Sequence, residues 1–278
     1  MLFEMTTRER PLRIPDIQAK KARGEKITML TAYDAWMARI LAETGAVDML
    51  LVGDSLGMVE LGYDSTVPVT MNDMVRHSRS VRMGAPDALI VSDMPFMSHQ
   101  RSLSQALRNA GRLMQEGGAN AVKLEGGEAI ALTVERIVAA GIPVMGHLGL
   151  LPQSVHVQGG FRRQATRPEE QKRLLEDAKT LQAAGAFAIV LECVPDSLAC
   201  EASEMLDVPV IGIGSGAECD GQVLVTHDIL GLSGPMTPPF AKQYAPVGQA
   251  IERAVEAFSH EVRSGAFPMS RQKKVENA

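Results

Sequence analysis

The feature that most constrains this chain is a recurring unit in which a buried strand ends on an acid. GANAVKLE (118–125) and GAFAIVLE (185–192) share Gly-Ala-x-Ala-x-x-Leu-Glu, and GAVDMLLVGD (45–54) is a looser copy. Each reads as a helix end, a glycine turn, a continuously apolar run and a terminal carboxylate. Strands without inside–outside alternation are buried on both faces, which in a chain alternating strand and helix means a parallel sheet. Asp54, Asp93 and Glu125 follow one another at 39 and 32 residues, and Glu192 lies 67 further on, two units later. A unit of about 35 residues fits nearly eight times into 278.

Strands are predicted near 27–33, 49–54, 89–93, 121–125, 143–147, 188–193, 209–213 and 223–226, the last carried by the short run VLVT. Helices are predicted over 34–44, 72–83, 102–117, 128–140, 168–184, 196–206 and 244–264. Eight βα units in one domain make a (β/α)8 TIM barrel, a fold of about 250 residues. A doubly wound open sheet shares this alternation and is the other architecture compatible with it. With no linker or low-complexity tract, the expected organisation is a charged lead over 1–26, one barrel domain over 27–265 and a frayed tail over 266–278.

Composition excludes several classes. The net charge of −5 gives no electrostatic footprint for nucleic acid. Three cysteines, Cys193, Cys200 and Cys219, form neither a CxxC pair nor an even disulfide set. The lead lacks the apolar core of a secretory signal, and no run reaches the roughly 18 apolar residues of a membrane span. A cytoplasmic protein, bound to neither membrane nor nucleic acid, is the expectation.

Barrel catalysts place their groups at the C-terminal ends of strands, where all four acids fall. One strand-end acid is as readily a helix cap as a functional group, but four at one mouth repel and call for a cation, shared protons or a basic partner. No Cys or His stands at ligand spacing, so the donors are oxygens, which suits Mg²⁺ better than zinc. Lys123 and Glu125, at i and i+2, share one face of their strand, while Val122 and Leu124 face the helices. Lys123 is open to three roles: neutralising the acids, binding an anionic substrate or forming a Schiff base. The apolar run before Glu192 would raise its pKa and suit a general base or acid; pairing with a nearby Arg or Lys is equally compatible. His147 is a polar contact or a satisfied core histidine. The glycines of IGIGSG (211–216) would cradle a phosphate or keep the mouth open.

Seven strings then become recognisable together: LLVGDSLGM (50–58), GYDSTVPVT (62–70), SDMPF (92–96), VKLEGGE (122–128), GHLGLLPQS (146–154), LECVP (191–195) and IGIGSG with DGQVLVTHD (220–228). In order and spacing, from about residue 27 to about 245, they closely resemble the ketopantoate hydroxymethyltransferases. The resemblance implies a Mg²⁺-dependent (β/α)8 barrel, one ion per subunit, assembled as a homodecamer. Its implied reaction takes a one-carbon unit from 5,10-methylenetetrahydrofolate to 3-methyl-2-oxobutanoate, giving 2-dehydropantoate for pantothenate biosynthesis. By motif position, Asp54, Asp93 and Glu125 correspond to the metal site. Asp54, Ser55, Asp93 and Lys123 correspond to the keto-acid contacts, and Glu192 to the proton acceptor. The sequence departs from the family pattern at Arg162, Ala165, Ser215 and Pro239, which bear on folate approach and oligomer contacts more than on reaction type. A Mg²⁺ enolate lyase without folate and a Schiff-base aldolase through Lys123 are the competing enzyme readings.

Overall fold

A computed structural model describes residues 10–234 and 237–268. Eight parallel strands close into a barrel in sequential order, β1 pairing with both β2 and β8. The strands are β1 Ile27–Thr31, β2 Met49–Val52, β3 Ile90–Asp93, β4 Ala121–Glu125, β5 Val144–Gly149, β6 Ala188–Glu192, β7 Val210–Ile213 and β8 Gly221–Leu224. The helices are α1 Ile14–Ala22, α2 Ala35–Glu43, α3 Leu56–Val59, α4 Met71–Gly84, α5 Leu103–Gln115, α6 Ala131–Ala139, α7 Val155–Gln158, α8 Pro168–Ala183, α9 Asp196–Met205, α10 Thr226–Ile229 and α11 Val247–Ser264. Closure excludes the open sheet.

Alternation along each strand separates two apolar layers. Met29, Met49, Leu51, Val91, Ala121, Met145, Ala188, Val190, Ile211 and Val223 fill the barrel interior. Their neighbours Leu50, Val52, Ile90, Val122, Leu124, Val144, Ile189, Leu191 and Val210 pack outward with the helix residues. Val122 and Leu124 therefore face the helices, as their spacing requires, while Lys123 and Glu125 continue the inward row begun by Ala121. Helix starts are fixed locally: Asp34 accepts from the Trp36 and Met37 amides, and Thr70 and Asp73 form a reciprocal capping box on α4.

The short helices α3, α7 and α10 fall outside the predicted helices, and two further differences bear on closure of the barrel. The lead contains α1, begun by Pro15 in its first turn and by the Arg13 amide donating to Asp16. Its Ile17 is fully buried in the barrel-interior cluster beside Ile27, the first residue of β1, so α1 closes the N-terminal end. Lys21 ties it down by donating to the Ser203 and Val208 carbonyls and to Asp220. The last strand starts at Gly221, two residues before the predicted run. Gly221 pairs with Ile27, and a Cβ there would strike the Ile27 carbonyl oxygen.

By its internal contacts the chain divides into two units, one running to Val225 and holding all eight strands, the other starting at Thr226. Within the second unit, Tyr244 and Val247 amides donate to the Ile229 and Leu230 carbonyls. Of the tail expected over 266–278, residues 269–278 lie outside the described residues, as do residues 1–9 of the lead.

Candidate active site

Side chains of β3, β4, β5 and β6 meet at the C-terminal mouth of the barrel because the register sets them side by side. Asp93 pairs with Lys123, Glu125 with His147, and Gly149 with Glu192. Lys123 Nζ lies 3.0 Å from Asp93 Oδ1 and 3.1 Å from His147 Nδ1. The other imidazole nitrogen, Nε2, lies 3.1 Å from Glu192 Oε2. Asp54 follows β2; its amide donates to Asp93 Oδ2 at 3.0 Å. Ser55 Oγ stands 2.8 Å from the hydroxyl of buried Tyr33. The structure thus brings together Asp54, Ser55, Asp93, Lys123, Glu125, His147 and Glu192.

The charges are deeply placed. Asp54, Asp93, Lys123, Glu125 and His147 are each no more than 6% exposed, while the Glu192 side chain keeps 15%. Burial, reinforced by the Asp93 and Glu125 charges, raises Asp54 well above the usual carboxylate range, and burial raises Asp93 despite Lys123. Burial alone would lower Lys123, but Asp93, Glu125 and Asp54 outweigh it and hold its proton. A lysine kept protonated is a poor Schiff-base nucleophile and a good anion partner. For His147, burial and Lys123 favour the neutral ring, yet hydrogen bonds to Glu125 and Glu192 leave its pKa raised.

The donor set fits a hard cation. Asp93 Oδ1 faces Lys123 Nζ at 3.0 Å and Glu125 Oε1 faces His147 Nδ1 at 3.6 Å, both buried, and carboxylate oxygens are the donors that Mg²⁺ recruits. Among the described residues, no three His, Cys, Asp or Glu groups converge closely enough to hold an ion without adjustment. Gln153 bridges two of the acids, its Nε2 donating to Asp54 Oδ2 at 2.8 Å and its backbone amide to Glu125 Oε2 at 3.0 Å.

Gln153, Tyr33 and His99 are the site-proximal residues that sequence reasoning missed. Gln153 lies inside the PQS of GHLGLLPQS, a signal of position though not of role. Tyr33, reached by His77 Nδ1 at its carbonyl (2.7 Å), ends the ITMLTAY run. His99 is 2% exposed and lies beside the Glu125 backbone.

Gly212 and Gly216 of IGIGSG stand where a side chain would meet its neighbours. A Cβ on Gly212 would meet Cys219 Sγ at 2.8 Å, and Gly216, at φ +84°, lies against Asp196. Ser215 Oγ bonds the Leu191 carbonyl and accepts from the Val194 amide, tying the end of β6 to the loop after β7. Ala165 holds a left-handed φ of 51°, and Arg162 donates to the Gln158 carbonyl.

Closed parallel topology with a polar cluster at the strands' C-terminal ends defines a (β/α)8-barrel enzyme. A family model described as ketopantoate hydroxymethyltransferase matches residues 11–270, so the chain belongs to that transferase family. A 3-methyl-2-oxobutanoate hydroxymethyltransferase of Syntrophus aciditrophicus is 57% identical over 252 residues, covering 91% of this chain and 92% of the relative. Among solved structures, 2,3-dimethylmalate lyase, of the PEP mutase/isocitrate lyase superfamily, aligns at TM-score 0.59 and 14% identity, covering 94% of this chain and 92% of that one. Phosphonopyruvate hydrolase in complex with oxalate and Mg²⁺ aligns at TM-score 0.56 and 14% identity, covering 95% and 93%. These two likenesses concern the fold.

Proposed function

We propose that this enzyme transfers a hydroxymethyl group from 5,10-methylenetetrahydrofolate to 3-methyl-2-oxobutanoate, giving 2-dehydropantoate and tetrahydrofolate for pantothenate biosynthesis. The observation that carries the reading is the Lys123–His147–Glu192 chain in a mouth lined by Asp54, Asp93 and Glu125: an anion-binding cation, an orienting imidazole and a carboxylate in one line. Support for the substrate comes from the family and from the relative's name.

Asp54, Asp93 and Glu125 would hold Mg²⁺, which supplies Lewis-acid polarisation of the keto group when bound. Lys123 pairs with the substrate carboxylate, and the Ser55 hydroxyl, steadied by Tyr33, fixes it in place. Glu192 takes the C3 proton; it keeps the exposure its deeper neighbours have lost, and His147 fixes the direction of its carboxylate. The resulting carbon nucleophile forms a bond to the folate methylene carbon, and that carbon's bonds to the two folate nitrogens break as tetrahydrofolate leaves. One water supplies the hydroxyl oxygen, so keto acid, methylenetetrahydrofolate and water become 2-dehydropantoate and tetrahydrofolate.

Assembly as a homodecamer in the cytoplasm belongs to the same reading. The apolar row Ile251, Val255, Phe258 and Val262 on α11, each at least 46% exposed, supports self-association. Sedimentation would return the decamer mass. The test of function is ¹H NMR of the keto acid with Mg²⁺ and methylenetetrahydrofolate. Folate-dependent 2-dehydropantoate is the expected product. Turnover with a free aldehyde and indifference to folate would replace the transferase with a lyase or aldolase.

A further inference from the structure

Gln153 is uncharged, lies in the 3-10 turn Pro152–Ser154 after β5, and takes no part in the chemistry above. Its hydrogen bonds nonetheless all run to the cation-site region. Nε2 donates to Asp54 Oδ2 at 2.8 Å and to the Met94 carbonyl at 3.0 Å, and the backbone amide donates to Glu125 Oε2 at 3.0 Å. A carbonyl oxygen only accepts, so Met94 fixes which way the side-chain amide faces. Both hydrogens of Nε2 are then used, and Oε1 is left buried without a partner in a side chain belonging to a residue 5% exposed. A glutamine kept only to satisfy the fold at this depth would have its carbonyl paired as well.

The three carboxylates share one pattern. Each has one oxygen pinned by an N–H donor: Asp54 Oδ2 and Glu125 Oε2 by Gln153, Asp93 Oδ2 by the Asp54 amide. The opposite oxygens face side chains of β4 and β5 instead: Asp93 Oδ1 lies 3.0 Å from Lys123 Nζ, and Glu125 Oε1 lies 3.6 Å from His147 Nδ1. Two of the three pins thus come from one residue on a separate βα loop, 99 residues from Asp54. A pinned carboxylate presents its second oxygen in a set direction, and outer groups that fix ligands in this way govern metal affinity.

We infer that Gln153 is a positioning residue for the divalent cation, its side-chain amide setting Asp54 relative to Glu125. The inference rests on the reading of these acids as cation ligands. It is tested by calorimetric titration of the full-length protein with Mg²⁺ alone, comparing wild type, Gln153→Met and Asp54→Ala. Gln153→Met keeps length and bulk, keeps the backbone amide and removes the donor. Its Mg²⁺ affinity should fall roughly 10- to 100-fold. Deuterium exchange at C3 of the keto acid should require correspondingly more Mg²⁺, with the rate at saturating Mg²⁺ largely restored. A merely structural role would lower that limiting rate and leave the Mg²⁺ midpoint where it was. Wild-type Mg²⁺ affinity in Gln153→Met overturns the inference. Wild-type affinity in Asp54→Ala overturns the cation reading beneath it. If Gln153→Met does not fold, Gln153→Asn, whose shorter amide cannot span to Asp54, carries the same titration and the same two outcomes.

Discussion

His147 Nε2 lies 3.1 Å from Glu192 Oε2, across the β5–β6 pair, while Nδ1 of the same ring lies 3.1 Å from Lys123 Nζ. One imidazole therefore links the cation that would hold the substrate to the carboxylate that would take its proton. His147→Phe removes both contacts. It should lower the C3 exchange rate by about 10- to 100-fold through misorientation of Glu192, less than the roughly 10²- to 10⁴-fold that loss of a positioned base costs. Exchange kinetics against keto-acid concentration would show the loss mainly in the limiting rate.

Lys123 is the buried counter-ion of Asp93, at 3.0 Å. Lys123→Met strands that charge, and breaking a buried pair from one side costs about 3–5 kcal/mol. Urea melts should show the destabilisation, and the KM for keto acid should rise more than tenfold. Borohydride added with keto acid should leave the wild-type enzyme active, because the held proton blocks imine formation.

Gly149 takes φ +91°, and a Cβ there would press on the Glu192 carbonyl oxygen and meet Val194 Cγ1 at 2.7 Å. Gly149→Ala should displace the end of β6 and reduce exchange at least tenfold. The left-handed backbone adds about 1–2 kcal/mol of strain. Activity and melting temperature of the purified variant check both effects.

Burial holds His99 down to about 4 from 6.5. Between those values the unfolded chain binds a proton that the folded one refuses, so unfolding takes up a proton. The contribution is intact above about pH 6.5 and is lost as pH falls towards 4, by about 3 kcal/mol in full. Asp54 and Asp93, raised in the fold, act in the opposite direction. The difference between wild type and His99→Gln isolates the histidine. Denaturant melts at pH 7 and pH 5 should show the variant losing less stability on acidification.

Ile17 closes the N-terminal end of the barrel at 0% exposure. Ile17→Ala should destabilise by about 2–5 kcal/mol, as for other buried large-to-small changes. With the opposite end intact, C3 exchange in the folded fraction should stay near the wild-type rate.

What the sequence discloses follows from which signals are local. A strand buried on both faces announces itself by its run of apolar residues, and the i, i+2 spacing of Lys123 and Glu125 fixes a shared face without reference to the rest of the chain. Strand-end acids are legible for the same reason. α1 hides because its nine residues carry Asp16, Gln18, Lys20 and Lys21 beside few large apolar ones, while the one side chain it fully buries, Ile17, finds its partners only when the barrel closes. β8 begins on Gly221 and Gln222, residues chosen by the closing register with Ile27 and Thr28 rather than by strand propensity. Gln153 is the clearest case. A neutral amide carries no mark of function, and its bond to Asp54 spans 99 residues that only the fold brings together.

In the proposed reaction Glu192 would remove the C3 proton of 3-methyl-2-oxobutanoate while Asp54, Asp93, Lys123 and Glu125 would bind cation and substrate. The most direct measurement is C3 deuterium exchange by NMR, with Mg²⁺ and without folate, in wild type and Glu192→Gln, alongside Mg²⁺ and keto-acid titrations of both. The account predicts Mg²⁺-dependent exchange in wild type, a fall of about 10²- to 10⁴-fold in the variant, and retained binding. Exchange at the wild-type rate in Glu192→Gln would contradict it.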